Sequence, residues 1–247
     1  MEQSNSKGKY YVIAAALLAA ALVICSLVLA NPLANYAASR SSITVTGSAK
    51  KQIVSDLAVW RGSFYQDSAT LPEAYKNLKG DLEKVKSYLK SKGIAEDQIT
   101  VSSITTMPQY IYNANGTSTG QIASYRLLQS VEIKSADVQK IAGIARESTE
   151  LIEQGVFFES QQPQYFYTKL NDLKVNMLAE ATRDAKLRAE KMAASTGSRI
   201  GPLRSARMGV FQITPVNSNE ISDYGINDTS SIEKEITAVV NVEFSIK

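Results

Sequence analysis

Histidine is absent from all 247 residues, and cysteine occurs once. The first absence removes the usual general base and the commonest transition-metal ligand. The second rules out an intrachain disulfide and a thiolate metal cluster. A Ser-His-Asp triad is impossible, and zinc would have to rely on carboxylates alone, a poor donor set for that ion. Neither G-x-x-x-x-G-K-[ST] nor G-x-G-x-x-G occurs, so no phosphate-cradling loop of either kind is encoded. G-x-S-x-G occurs once, at Gly116–Gly120. It falls in a polar link between two strand-like runs, and no histidine exists to serve it, so it does not read as a nucleophile elbow. Net charge is small as well: 27 basic and 24 acidic residues leave +3, too even for a nucleic-acid binder. What remains, 44% hydrophobic and 21% charged residues, is the composition of a chain that buries a core. These absences lean against an enzyme, and no cofactor, metal or nucleic acid is expected.

Charge is missing in another place. Residues 10–30, YYVIAAALLAAALVICSLVLA, carry none. As a helix they would span roughly 32 Å, enough for a bilayer core. Lys7 and Lys9 precede them, and Tyr10 and Tyr11 stand where an interfacial aromatic belt would be. The alternative is a cleaved signal peptide, whose apolar core is usually about 7–15 residues. This run is longer, and Asn31, Pro32 and Leu33 offer no small-x-small cleavage site. Cys25 follows Ile24, too bulky for lipoprotein processing, so it reads as a small apolar residue within the membrane. The expected organisation is a cytoplasmic tail at 1–9, a transmembrane anchor at 10–30, a tether at 31–42 and an exported domain at 43–247. Flanking charge barely sets the orientation, but a long domain translocates largely regardless of charge. Removing Lys7, Lys9, Arg40 and Glu2 leaves the exported part with 24 basic and 23 acidic residues.

Within that part the pattern alternates between strand and helix signals. Ile43–Thr46 ends at Gly47 as a strand entering a turn would, and 52–65 reads as a longer strand. Thr70-Leu71-Pro72-Glu73 opens a helix that Gly93 closes. Strands over 99–112 and 122–134 flank the polar link 113–120, a hairpin with a long loop. A second helix runs from Ser135 to Gly155, a short strand covers 156–160, and a third helix runs from about Lys169 to Ser195. Strands over 204–213 and 236–246 close the chain around a polar stretch, 216–233, too long for a tight turn and so functional or mobile. Seven strands and three helices in this order predict an α+β fold, an N-terminal transmembrane helix followed by a mainly antiparallel sheet with three packed helices.

Few residues invite chemistry. Glu180 and Asp184 stand i,i+4 on the third helix, but Arg183, Lys186 and Arg188 interleave with them, as on a solvated, ion-paired face. Arg199, Arg204 and Arg207, with Lys186, Arg188 and Lys191, read as ordinary surface charge rather than a site for anionic lipid or nucleic acid. Ala179, Ala181, Ala185, Ala189, Ala193 and Ala194 would let that helix approach a neighbour closely, either its own sheet or another subunit. Gln161-Gln162-Pro163-Gln164-Tyr165-Phe166-Tyr167 places three aromatics in a row. Neighbours on a strand point to opposite faces, so Tyr165, Phe166 and Tyr167 are the candidate oligomer interface. Packing beneath a loop and a ligand site are the alternatives.

Several segments in order resemble the SIMPL-domain family, which includes bacterial periplasmic immunogenic proteins and a eukaryotic partner of a pelle-like kinase. Ile43-Thr44-Val45-Thr46-Gly47-Ser48-Ala49 is similar to its opening strand, with Ser55-Asp56 where the family often has Pro-Asp. Gly93-Ile94-Ala95-Glu96-Asp97-Gln98-Ile99 resembles its turn into a third strand, and Pro108-Gln109-Tyr110 and Tyr125-Arg126 resemble its Pro-x-Tyr and later Tyr positions. Residues 181–193, then Gly197 and Ile200-Gly201, resemble its helix-to-glycine signature, and 236–244 its last strand. The resemblance implies an exported α+β protein without catalytic residues, a ring- or channel-like homo-oligomer, and a link to oxidative stress. The N-terminus departs from many relatives, whose signal is cleaved. Together these readings predict a non-enzymatic envelope scaffold whose partners are membrane lipid, through 10–30, and further copies of itself in a cyclic assembly. An extracytoplasmic module that binds a small molecule, peptide or protein is the alternative.

Overall fold

The computed structural model describes residues 11–26 and 41–247. Residues 11–26 form helix α1, exposed along its length. The expected tail, most of the tether, and residues 10 and 27–30 of the expected span lie outside the described residues. Among the described residues no helix is both long and apolar enough to cross a membrane. The expected single domain at 43–247 divides into two compact units.

The smaller unit gathers residues up to Ala49, Val175–Val210 and Ala238–Lys247. Three strands contribute to its sheet: β1 (Ser42–Val54), β8 (Ile200–Met208) and β11 (Glu233–Ile246). β11 lies between β1 and β8 and is antiparallel to β8. Alternate residues Ala238, Val240, Val242 and Phe244 of β11 are buried, as the period of a half-buried strand requires. Helix α4 (Leu170–Ser195) approaches this sheet at β1. Ala181, Ala185, Ala189 and Ala193 recur every fourth residue and are all buried, whereas Ala179 and Ala194 are exposed. The alanine row thus serves packing within the subunit. Gly47 is the reciprocal feature. It interrupts nothing: β1 runs straight through it, and a Cβ there would stand 2.2 Å from the Ala181 carbonyl oxygen. The expected turn at Gly47 is a close approach between strand and helix backbones.

The larger unit comprises Lys50–Lys174 and Phe211–Thr237. Its main sheet has the order β3 (Ile99–Val101), β5 (Ser118–Ser135), β2 (Leu57–Ser68), β6 (Phe157–Ser160), with β4 (Thr105–Tyr112) on β5 and β7 (Gln164–Phe166) on β2. Every pairing in it is antiparallel. Helices α2 (Leu71–Ser91) and α3 (Val138–Glu147) share one hydrophobic cluster with the sheet, centred on Trp60, Phe64, Leu78, Leu89, Ile133 and Ile141. Pro72 sits in the first turn of α2, and Gly93, at φ 79°, takes the left-handed conformation that ends it. The Thr70 side chain makes no cap. The helix from Ser135 is shorter than expected, because Asp137 caps it by accepting from the Lys140 amide and a 3-10 turn over Ser148–Ile152 replaces its second half. Closing strand 204–213 is likewise two strands, β8 and β9 (Gln212–Pro215), and within this unit β9 pairs with the start of β11 and, in parallel, with β10 (Ile226–Asn227).

Ser55-Asp56, at the end of β1, has a physical task. The Asp56 carboxylate accepts from the Thr168 amide at 2.8 Å and from its hydroxyl at 2.9 Å, just before α4 begins.

Candidate functional site

A two-stranded ribbon in water normally protects itself with charge, above all on its free edge. Strands β4 and β5 do the opposite. No charged residue occurs from Gln98 to Tyr125. β4 pairs with β5 from Thr105 opposite Leu128 to Tyr112 opposite Ser118, and with no other strand among the described residues. The turn is tighter than the long loop expected: the Asn113 amide donates to the Thr117 carbonyl, and Gly116 at φ 75° makes the bend. Not one residue of β4 is buried. Met107, Tyr110, Ile111, Tyr112 and Ile122 are exposed, Tyr112 at 62%. Both faces of the ribbon therefore offer apolar and aromatic groups without charge, the composition of an interface core. The signal was present in the sequence as a 28-residue stretch without Asp, Glu, Lys or Arg.

The aromatic run at Tyr165–Tyr167 sits elsewhere in the fold. Tyr165 and Phe166 lie on β7, opposite Ala58 and Leu57 of β2. Tyr165 is 7% exposed and belongs to the hydrophobic core, so this side chain is not free to meet a partner. Phe166 and Tyr167 are half-buried. Backbone bonds explain the placement. The Tyr165 amide donates to the Thr229 carbonyl, and the Tyr165 carbonyl accepts from the Lys234 ammonium at 2.6 Å.

Lys234 is itself a residue that sequence reasoning passed over. It is 2% exposed and also donates to the Asp228 carbonyl at 2.5 Å. Burial holds its pKa below the usual lysine value, and the nearby Asp228 charge opposes that shift. The polar stretch 216–233 is pinned at several points: Lys234 holds its end, Gln212 Nε2 donates to the Ser222 carbonyl, and the Asp228 carboxylate accepts from Ser230 and Ser231.

Asp184, four residues after Glu180 on α4, is already engaged by other groups. Asp184 accepts from the Ser48 amide at 2.9 Å and pairs with Arg188 at 2.9 Å; Lys186 pairs with Glu190. The Ser48 bond, then Arg188, holds the Asp184 carboxyl below the usual range, the reverse of a general acid. Arg126 does the same to Asp67, and Arg61 to Glu132. At Asp228 burial pushes upward, but the Ser230 and Ser231 hydrogen bonds and the Lys234 charge outweigh it. Each of these folded-state pKa values lies below the unfolded value of about 4. Their contribution to stability is complete above that value and is lost as pH falls through the folded values. Thermal melts should therefore be nearly level from about pH 8 to 5 and fall steeply below about pH 4. A melting temperature that rises on acidification through that window would contradict these assignments.

In the smaller unit, Val45, Thr46, Leu187, Arg188, Lys191 and Met192 line an open, mainly apolar groove of about 500 Å³. On β8, Leu203 and Met208 are exposed. Among the described residues no group of three or more Cys, Asp or Glu is placed to hold a metal ion.

Mainly antiparallel sheets carrying helices, with an uncharged ribbon left uncovered, define an α+β protein. The chain belongs to the SIMPL family, described as a protein of unknown function (DUF541), whose model matches residues 43–244. It is also similar to a protein of Edwardsiella ictaluri (strain 93-146) named uncharacterized protein YggE, at 24% identity over 200 residues, 77% of this chain and 78% of that one.

Proposed function

We propose that the chain is a non-enzymatic, membrane-anchored envelope protein whose SIMPL domain assembles with copies of itself through the β4–β5 ribbon. The carrying observation is that ribbon: apolar on both faces, open at one edge and free of charge from Gln98 to Tyr125. Each large apolar side chain left in water forgoes about 1.5–3 kcal/mol relative to burial, and an exposed edge strand is a template for pairing. A second copy offers both the apolar cover and the edge. The interface is thus moved from Tyr165, Phe166 and Tyr167 to the ribbon.

The anchor reading draws on α1. Tyr11, Val12, Ile13, Leu17, Leu18, Leu22, Val23 and Ile24 are all exposed, and the helix has no polar face. A helix apolar all round is at home in lipid or a protein interior. With the domain outside the cytoplasm, a cyclic assembly keeps every anchor on one side, as one bilayer demands. Its role would be scaffolding in the envelope, stress-related as the family resemblance implies.

The test is a pair of ribbon substitutions, Tyr110→Ser with Ile122→Ser, in the full chain in mild detergent. Both side chains are exposed, so the fold should tolerate the change. Sedimentation should show the native chain as a multiple of the subunit and the variant as smaller species with an unchanged melting temperature. A variant that assembles like the native chain would remove the ribbon from the interface.

A further inference from the structure

The larger unit holds a second feature that assembly does not use. Between α3 with its 3-10 extension, the segment joining β6 to β7, and Ser230 lies an open cavity of about 440 Å³. That size is within the range of small-molecule sites. Arg146 is the only charged residue in its lining, and Thr149, Gln161, Gln162 and Ser230 supply neutral hydrogen-bonding groups. Ala142, Ala145 and Pro163 give it an apolar floor.

The charge of Arg146 is felt by Glu147 but not paired by it. Its acidic neighbours on the same stretch, Glu147 and Glu150, are both turned to Lys92, at 2.7 and 3.6 Å. Among the described residues Arg146 makes no ion pair. It does lie close enough to Tyr165 for its charge to oppose the upward push that burial gives the phenol, so its field reaches the cavity wall. A single guanidinium matches one carboxylate through two parallel hydrogen bonds. A phosphate dianion would leave half its charge uncompensated among neutral amides and hydroxyls.

We propose that this cavity is a binding site for a small organic monocarboxylate whose remaining polar groups are hydroxyls or amides, with Arg146 holding the carboxylate and Gln161, Gln162, Thr149 and Ser230 reading the rest. The motif Gln161–Tyr165 is then the wall of a ligand site. This inference is independent of the assembly proposed above, because none of these residues lies on the ribbon.

The test uses the full chain in detergent and two matched pairs of probes. Gluconate is compared with its neutral alcohol sorbitol, and N-acetylglycine with N-acetylglycinamide. Binding is followed by ligand-observed saturation-transfer NMR. The expected result is saturable binding of one or both carboxylates, none of their neutral counterparts, and at least a tenfold loss of affinity in Arg146→Gln. Because Arg146 is exposed, that variant should melt with the native protein, and Arg146→Lys should keep part of the affinity. Which carboxylate binds tells hydroxyl from amide recognition. Failure of both carboxylates to bind, equal binding of a neutral counterpart, or unchanged affinity in Arg146→Gln would each overturn the proposal.

Discussion

Adding one methyl group at Gly47 should strongly destabilise the smaller unit, because the overlap is mostly with backbone. An alanine Cβ at this position would stand 2.2 Å from the Ala181 carbonyl oxygen, 2.5 Å from the Ala185 amide nitrogen and 2.6 Å from the Ala185 Cβ. Two of those atoms are backbone, so no side-chain rotation relieves the overlap. The strand and helix must separate, and with them the neighbouring bond from the Ser48 amide to Asp184. Overpacking a core typically costs about 1–3 kcal/mol, and an obstruction made of backbone belongs at or above the upper end. For a chain of this size the melting temperature of Gly47→Ala should fall by roughly ten degrees. Gly80 is the matched control. It lies mid-helix on α2, and a Cβ there meets nothing within 4 Å. Gly80→Ala should stabilise by about 0.5–1 kcal/mol, because only the conformational cost of glycine is removed. Equal melting temperatures for the two variants would mean that α4 does not approach β1 as described.

Lys234→Met is expected to be nearly as damaging, through hydrogen bonding instead of volume. Replacing buried ion pairs with apolar residues is often neutral, because both desolvated charges leave together. Lys234 differs: its acceptors are the carbonyls of Tyr165 and Asp228, which stay behind when the ammonium goes. An unsatisfied buried acceptor costs about 1–3 kcal/mol. Recovery of the desolvation cost of the ammonium offsets part of two such penalties. A net loss of roughly 2–4 kcal/mol remains. Because Lys234 ties the end of the 216–233 stretch to β7, limited proteolysis should also open that stretch in the variant before the rest of the domain. Lys51→Met, at an exposed position, should change neither property. A Lys234→Met protein as stable and protease-resistant as the native one would show that those carbonyls have other donors.

Much of the fold was legible where local signals and tertiary demands agree. The start and end of α2 were marked by Pro72 and Gly93 because both residues satisfy backbone needs at helix ends, whatever packs alongside. The α+β order and largely antiparallel pairing followed from element succession. Misreadings arose where a residue serves a distant neighbour. Gly47 has the look of a turn, but its missing side chain is required by Ala181 and Ala185, more than 130 positions away. Lys234 opens a strand where a solvated lysine is ordinary, and only the arrival of Tyr165 and Asp228 buries it. In the aromatic run only Tyr165 departs from the interface expectation, while Phe166 and Tyr167 stay half-buried. Gln164–Phe166 form a strand too short to announce itself, and pairing with β2 turns Tyr165 inward. The ribbon was readable in principle, since its lack of charge is a property of the sequence. Its meaning depended on knowing that neither face is covered. The Arg146 cavity was not readable, because α3, the β6–β7 segment and Ser230 meet only in the folded unit.

The central claim, assembly through an uncharged ribbon by a chain held in the membrane, is tested most directly by the mass of the native full-length protein. It should be extracted in mild detergent, corrected for bound detergent and measured by sedimentation at micromolar concentration. The account predicts a single particle of several subunits, an integral multiple of 26.9 kDa. A particle of one subunit at that concentration would contradict it.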